Sequence, residues 1–274
     1  MAADHHDHAG HHHGGDGTSA SSGMAADSAG LPWAGRTFQA HDTTFAGDDG
    51  TADPALSAAL EGVRAGTGSH VTVLDALRGA RLLVPLVAHA GDVGVGPDGR
   101  PVDKTQELSI VTVAGPDGRR VMPAFTSVDA MRSWDPRARP VPVESRRVAL
   151  AAASEGTELI VLDPTAPTEF VVRRPAVWAL GQDLPWVPSY ADPFVGEAFV
   201  ASFADEPDVV RVELAPGDAG GRFAGPELIV GLVLVPGLDA EAVRGLVSRL
   251  QARWSADRFI TEHVDSLGVA LRAA

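Results

Sequence analysis

The sequence predicts an α+β protein of two small domains, each a mixed or antiparallel sheet covered by helices, behind a disordered N-terminal tail. Three observations carry this reading. Two β-rich runs, 107–114 and 119–124, are joined by Gly115-Pro116-Asp117-Gly118, the residues of a tight turn. Amphipathic helical spacing recurs near both ends of the chain, at 53–63 and 239–254. Between the halves, prolines accumulate at 175, 185, 188 and 193, as in an inter-domain connection. The expected organisation is therefore a tail over 1–52, an α+β domain over 53–172, a Pro/Trp-rich connection over 173–193 and a second α+β domain over 194–274.

Composition sets the outer bounds. A length of 274 residues fits two domains, and 45% hydrophobic residues exclude a wholly disordered or fibrous chain. The longest apolar stretch, 228–238, is interrupted by Gly231, Pro236 and Gly237 and falls short of the roughly 18 residues that cross a bilayer. A net charge of −14 repels phosphate backbones and anionic lipid, so neither nucleic acid nor a membrane is an expected partner. The absence of cysteine excludes disulfides, thiolate nucleophiles, Fe–S clusters and Cys-type zinc sites.

The first thirty residues hold six histidines (His5, His6, His8, His11, His12, His13), six glycines and no Lys or Arg, too little apolar surface to offset ordering. No basic segment precedes an apolar run, so no export signal is read and the cytoplasm is expected. Met1-Ala2-Ala3-Asp4 recurs as Met24-Ala25-Ala26-Asp27, which fits a natural start at Met24.

From there the elements follow in order. Asp53-Pro54 reads as an N-cap with proline at N1, and Leu56, Leu60 and Val63 share one helical face. A short helix is expected over 71–78. Residues 82–88 form a buried strand in which Pro85 demands an edge or a bulge. After the hairpin, Thr126 and Asp129 have capping spacing for a short helix that ends near Trp134 and covers the hairpin. A helix over 144–153 leads through Gly156 to a strand at 158–162, closed by Asp163-Pro164. The second domain reads as a helix at 195–204, strands at 209–214 and 228–235, and a helix over 239–254 with Val243, Leu246, Val247, Leu250 and Trp254 on one stripe. Acids in its first turn and Arg249 and Arg253 near its end suit the helix dipole.

Val84-Pro85, the Val121-Met122-Pro123-Ala124-Phe125-Thr126-Ser127 segment, Met131, Trp134 and the strand ending Leu162-Asp163-Pro164 together resemble the SseB family, named from the enhanced serine sensitivity protein. The resemblance covers 74–167, with Asp163 where the family more usually has asparagine. The segment from Val195 onward resembles the second domain that members often carry. An α+β fold and a family with no assigned reaction are what the resemblance implies, and no catalytic residue comes with it. Physically, Phe125 plugs a core, Thr126 caps a helix and Ser127 fills its first turn.

Other motifs bear on chemistry. Gly94-Val95-Gly96-Pro97-Asp98-Gly99 matches GxGxxG, yet its prolines prescribe turns where a dinucleotide site needs a helix. No phosphate loop, GxSxG elbow or HExxH is present. Asp205, Glu206 and Asp208 form a solvated acidic turn. Glu262, His263 and Asp265 cluster without ligand or triad spacing. The tail histidines suit Ni²⁺, Zn²⁺ or Cu²⁺, a divalent metal bound adventitiously. Trp178, Trp186 and Tyr190, set among prolines, suit a protein partner, because aromatics bury large area at low entropic cost. The expectation is a non-catalytic interaction or regulatory module without cofactor. Two alternatives stand beside it: an enzyme or small-molecule site in the inter-domain cleft, with His263 or Asp265 as acid/base, and metal binding through the tail.

Overall fold

Helix α1 (Pro54–Arg64) starts where the Asp53 carboxylate accepts the Ala55 and Leu56 N–H groups, and it buries Leu56, Leu60 and Val63 as their spacing predicts. The computed structural model describes residues 44–88, 93–95, 101–103 and 108–274. The six tail histidines lie outside them. The described residues from 45 onward belong to one unit. Residues 45–52, assigned to the tail from composition, are tied to the fold instead. Asp48 pairs with the Arg81 guanidinium, which holds the Asp48 carboxyl below its ordinary range, and Val128 N–H donates to Gly50 O at 2.9 Å.

Helix α2 (His70–Gly79) opens on a reciprocal Ser69–Thr72 capping box. Strand β1 (Arg81–Ala88) follows, then the antiparallel pair β2 (Val93–Val95) and β3 (Pro101–Asp103), then β4 (Leu108–Ile110). Of the GxGxxG match, Gly94 and Val95 lie in β2, and residues 96–99 lie outside the described residues. The expected hairpin forms between β5 (Val113–Ala114) and β6 (Arg120–Ala124), closed by Gly115 N–H to Arg119 O at 2.7 Å. Its first arm is divided, because β4 leaves it to pair with β1.

Helix α3 (Val128–Trp134) is capped by Ser127, whose hydroxyl accepts from Ala130 N–H; the expected cap, Thr126, is engaged elsewhere. It packs Met131 and Trp134 on Phe125 and on Leu83 of β1, so it covers that strand and not the hairpin. Strand β7 (Arg139–Glu144) returns along β1, and α4 (Ser145–Ser154) leads to β8 (Ile160–Leu162) and β9 (Phe170–Val172). Two sheets result, β4-β1-β7 and β5-β6-β8-β9, bridged at Leu83 and Phe125.

The prolines obey the ladder. Leu83 exchanges N–H and C=O with Phe125, so alternate residues of β1 at 83 and 85 point their backbone away from β7. Pro140 and Pro142, opposite Pro85 and Leu83, therefore turn their nitrogens to the outer side of an edge strand. Pro85 is neither on an edge strand nor at a bulge. It sits where β1 changes neighbour, from β4 at 86–88 to the Phe125 bridge at 83, and needs no N–H.

The expected connection contains a helix. In α5 (Arg174–Gln182), Pro175 stands in the first turn and Asp183 closes the end in the left-handed region, with Leu184 N–H returning to Ala179 O. Ala176, Val177 and Leu180 join the first core with Leu56, Leu77 and Ile160.

Past residue 190, α6 (Pro193–Ser202), β10 (Val209–Pro216), β11 (Leu228–Leu234) and α7 (Ala240–Ala256) match the sequence reading, Asp239 capping α7. Helix α8 (Arg258–His263) and strand β12 (Leu267–Ala273), which runs parallel to β11, were not foreseen. The sheet β10-β11-β12 and its helices enclose a second core around Phe199, Leu232, Leu250 and Trp254. Among the described residues no helix is long and apolar enough to cross a membrane.

Candidate functional site

The two cores meet at Arg173, the residue between β9 and α5. Its guanidinium donates to Asp218 Oδ2 at 2.7 Å, Gly225 O at 2.8 Å, and Asp265 Oδ2 and Ser266 Oγ at 3.2 Å each. Arg119, at the end of the hairpin turn, grips Asp265 with two parallel bonds of 2.8 and 3.0 Å. Asp265 therefore lies between two guanidinium groups with its side chain 0% exposed. Burial alone would push its carboxyl up; the Arg119 and Arg173 bonds and charges outweigh burial and hold it below the ordinary range.

Glu227 completes the junction. It accepts from Ser189 Oγ at 2.8 Å and from Asp265 N–H at 2.6 Å, and burial raises its carboxyl. Phe223 lies under both arginines, 5.6 and 5.4 Å from their guanidinium carbons. Gly221, in the same loop, has φ +62°, and a Cβ there would meet the Phe170 ring at 2.5 Å, so only glycine fits. The buried side-chain polar atoms of this junction all have partners. Such an arrangement fixes one half of the chain against the other and offers no unengaged base or nucleophile.

The Phe-Thr-Ser element is equally occupied. Phe125 is fully buried, Thr126 donates both its N–H and its hydroxyl to Asp163 at 2.8 Å, and Ser127 caps α3. Two carboxylate oxygens match two donors, with Thr168 donating a third bond at 3.3 Å. An asparagine would present one acceptor oxygen.

Beside the junction, His70, Phe170, Trp186 and Tyr190 border an enclosed cavity of about 20 Å³, room for one water. His70 stands edge-on to Phe170 and Tyr190 and donates to Ala219 O, and burial lowers its pKa.

A larger groove, about 360 Å³, opens on the outside between α5, the 184–192 segment and the end of α8. Trp178, Leu184 and Val187 lie in it 46%, 50% and 47% exposed, with half-buried Trp186 behind them. Arg78 holds Asp183 at 2.9 Å and bonds Leu184 O, which fixes the segment and leaves the Leu184 side chain outward. No Lys or Arg lines the groove, whereas Asp192, Glu262 and His263 do. His263 stacks on Phe259 at 4.0 Å and donates Nδ1–H to Phe259 O.

The fold thus brings Trp178, Trp186, Glu262 and His263 to one groove. Tyr190 is elsewhere, packed on the second core and against His70. The expectation of Asp265 as an accessible acid or base is overturned by its burial between Arg119 and Arg173. Among the described residues no three His, Asp or Glu side chains gather as a metal site. Sequence reasoning missed Arg119, Arg173, Asp218 and Glu227, whose partners stand 38 to 146 residues away. Only the Arg173-Arg174 pair before Pro175 marked the place.

Residues 56–179 match the SseB protein N-terminal domain. That span runs from α1 into α5, and so includes residues assigned to the connection. No curated protein and no solved structure matches the chain. By this match, the chain carries an SseB N-terminal domain over residues 56–179, a little under half of its length.

Proposed function

We propose that the protein is a non-catalytic interaction module whose docking site is the groove between α5 and α8, and that its occupant is a segment of another protein carrying apolar side chains next to Lys or Arg. The observation behind this is the juxtaposition of three large, half-exposed apolar side chains, Trp178, Leu184 and Val187, on a backbone pinned by Arg78. Exposed apolar groups gathered in one groove mark interaction sites, and aromatic anchors supply most of the affinity. Charge selects the partner, since the lining carries Asp192 and Glu262 without Lys or Arg, on a chain of net charge −14. The fully partnered junction argues against chemistry in the cleft.

A random peptide library selected on the intact chain tests this, with binding measured by fluorescence anisotropy. Selected peptides are expected to combine Leu, Phe or Trp with Lys or Arg, and to lose at least about tenfold in affinity on Trp178→Ala and severalfold on Glu262→Gln. Failure to select any binder, or binders indifferent to Trp178→Ala, refutes the docking site.

A further inference from the structure

Strand β12 leaves a sheet edge without the protection that the other edges carry. The two ends of its ladder define which backbone groups are used. Leu228 N–H donates to Ser266 O at 3.1 Å and Ala274 N–H to Leu234 O at 2.9 Å. In the parallel register of Leu228 with Leu267 and Leu234 with Ala273, residues 266, 268, 270, 272 and 274 therefore turn their N–H and C=O to β11. Leu267, Val269, Leu271 and Ala273 turn theirs outward, and no described residue bonds to them from that side.

Elsewhere such edges are blunted. β7 carries Pro140 and Pro142, β10 has a register shift between Val209 and Arg211 and ends in Pro216, and β9 is covered where Val171 N–H bonds Gly221 O. β4 and β5 have three and two residues. β12 has seven residues and neither proline nor bulge, and its one charged side chain, Arg272, reaches back across the sheet to Glu213 at 3.1 Å.

The side chains favour a copy of the same strand. Leu267 and Val269 pack on the helix-covered core, so Leu271, of the same parity, projects to that face and is 47% exposed. On that face a cavity of about 350 Å³ borders the start of β12, where Leu267, Val264, Ile260 and Trp254 share the lining with Arg174, Gln251, Ser255 and Thr261. The chain therefore carries both an unburied leucine at one end of the strand and a recess with an apolar wall at the other, as two-fold pairing requires.

We propose that the protein self-associates through β12, antiparallel about Val269, forming a continuous six-stranded sheet in which Leu271 of each copy enters the recess beside Leu267 of the other. In this register Val269 faces its twin, Leu271 faces Leu267, and Arg272 faces Ser266, so no like charges oppose. About six backbone bonds form across the edge. The area is small, so the dimer forms in the micromolar range and strengthens with salt, which screens the net charge of −14 on each copy.

Sedimentation velocity of the full chain in EDTA, which removes metal bridging by the histidine tail, tests the proposal across a concentration series. The expected result is a monomer–dimer equilibrium weakened at least about tenfold by Leu271→Pro, which removes an outward N–H, and by Leu271→Lys, both with native circular dichroism. A wild-type chain that stays monomeric, or a dimer unaffected by either folded variant, overturns it. If both variants unfold, oxidation of Val269→Cys decides, because the chain has no other cysteine. A disulfide-linked dimer supports the two-fold register, and its absence rejects it.

Discussion

Arg173 and Trp178 stand five residues apart, at the start and middle of α5, and differ in every respect that sets a side chain's role. Arg173 is buried, charged and bonded to four different residues. Trp178 is half-exposed, uncharged and faces a groove. A buried charge persists only when every valence is answered, so the first place is closed to ligands by the chemistry that makes it stable. An exposed apolar side chain has no such demand and stays available. The comparison teaches that the more conspicuous cluster of ionisable groups is here the less able to act, and that affinity for a partner is to be sought where packing is incomplete.

The largest effect is expected from Asp265→Ala. It leaves Arg119 and buried Arg173 facing each other without their shared carboxylate, and breaking a buried pair costs about 3 to 5 kcal/mol. Urea unfolding should show a lower midpoint with unchanged slope. A loss under about 1 kcal/mol would place the cohesion of the halves elsewhere.

A smaller effect follows from pH. Burial raises the Glu227 carboxyl above its ordinary value of 4.5, so its contribution is full below that pH and is lost as pH rises through the native value. Asp265 runs the other way. Its native value lies below 3.8, so its contribution is present above that pH and is lost as pH falls through the native value. Thermal unfolding between pH 3 and pH 8 should therefore weaken at both ends of the window, and Glu227→Gln should abolish only the loss on the higher side. Persistence of that loss in the variant would assign it to another group.

The smallest effect on stability belongs to the groove. Leu184→Ser should change unfolding free energy by no more than about 0.5 kcal/mol, while binding of a selected peptide falls about tenfold. A large stability loss would mean that the groove is part of the core and would erase the contrast with Arg173.

Much of this was legible beforehand, and the exceptions have physical causes. Helix α7 and the hairpin were readable because their signals are local, a stripe at 3.6-residue spacing and a four-residue turn. Helix α5 was obscured by Pro175, a residue that breaks a helix in its interior but starts one at the first turn. In β12, Gly268, Ala270 and Ala273 dilute the alternation, so the strand exists chiefly because β11 provides a ladder. The junction had no local signal at all, since Asp265 reaches Arg119 from 146 residues away. Trp178 and Trp186 were singled out for their chemistry; only the structure separates them from Tyr190.

The outward-turned nitrogens of Pro140 and Pro142 bear on how the chain assembles. If β7 slipped by one residue along β1, both prolines would turn inward, where the ladder asks for donors they lack, and Val141 and Val143 would exchange faces. That pairing loses hydrogen bonds as soon as it forms, before any core has closed over it. The two prolines thus discriminate against the commonest error of an antiparallel sheet during folding, a role invisible in the contacts of the finished protein.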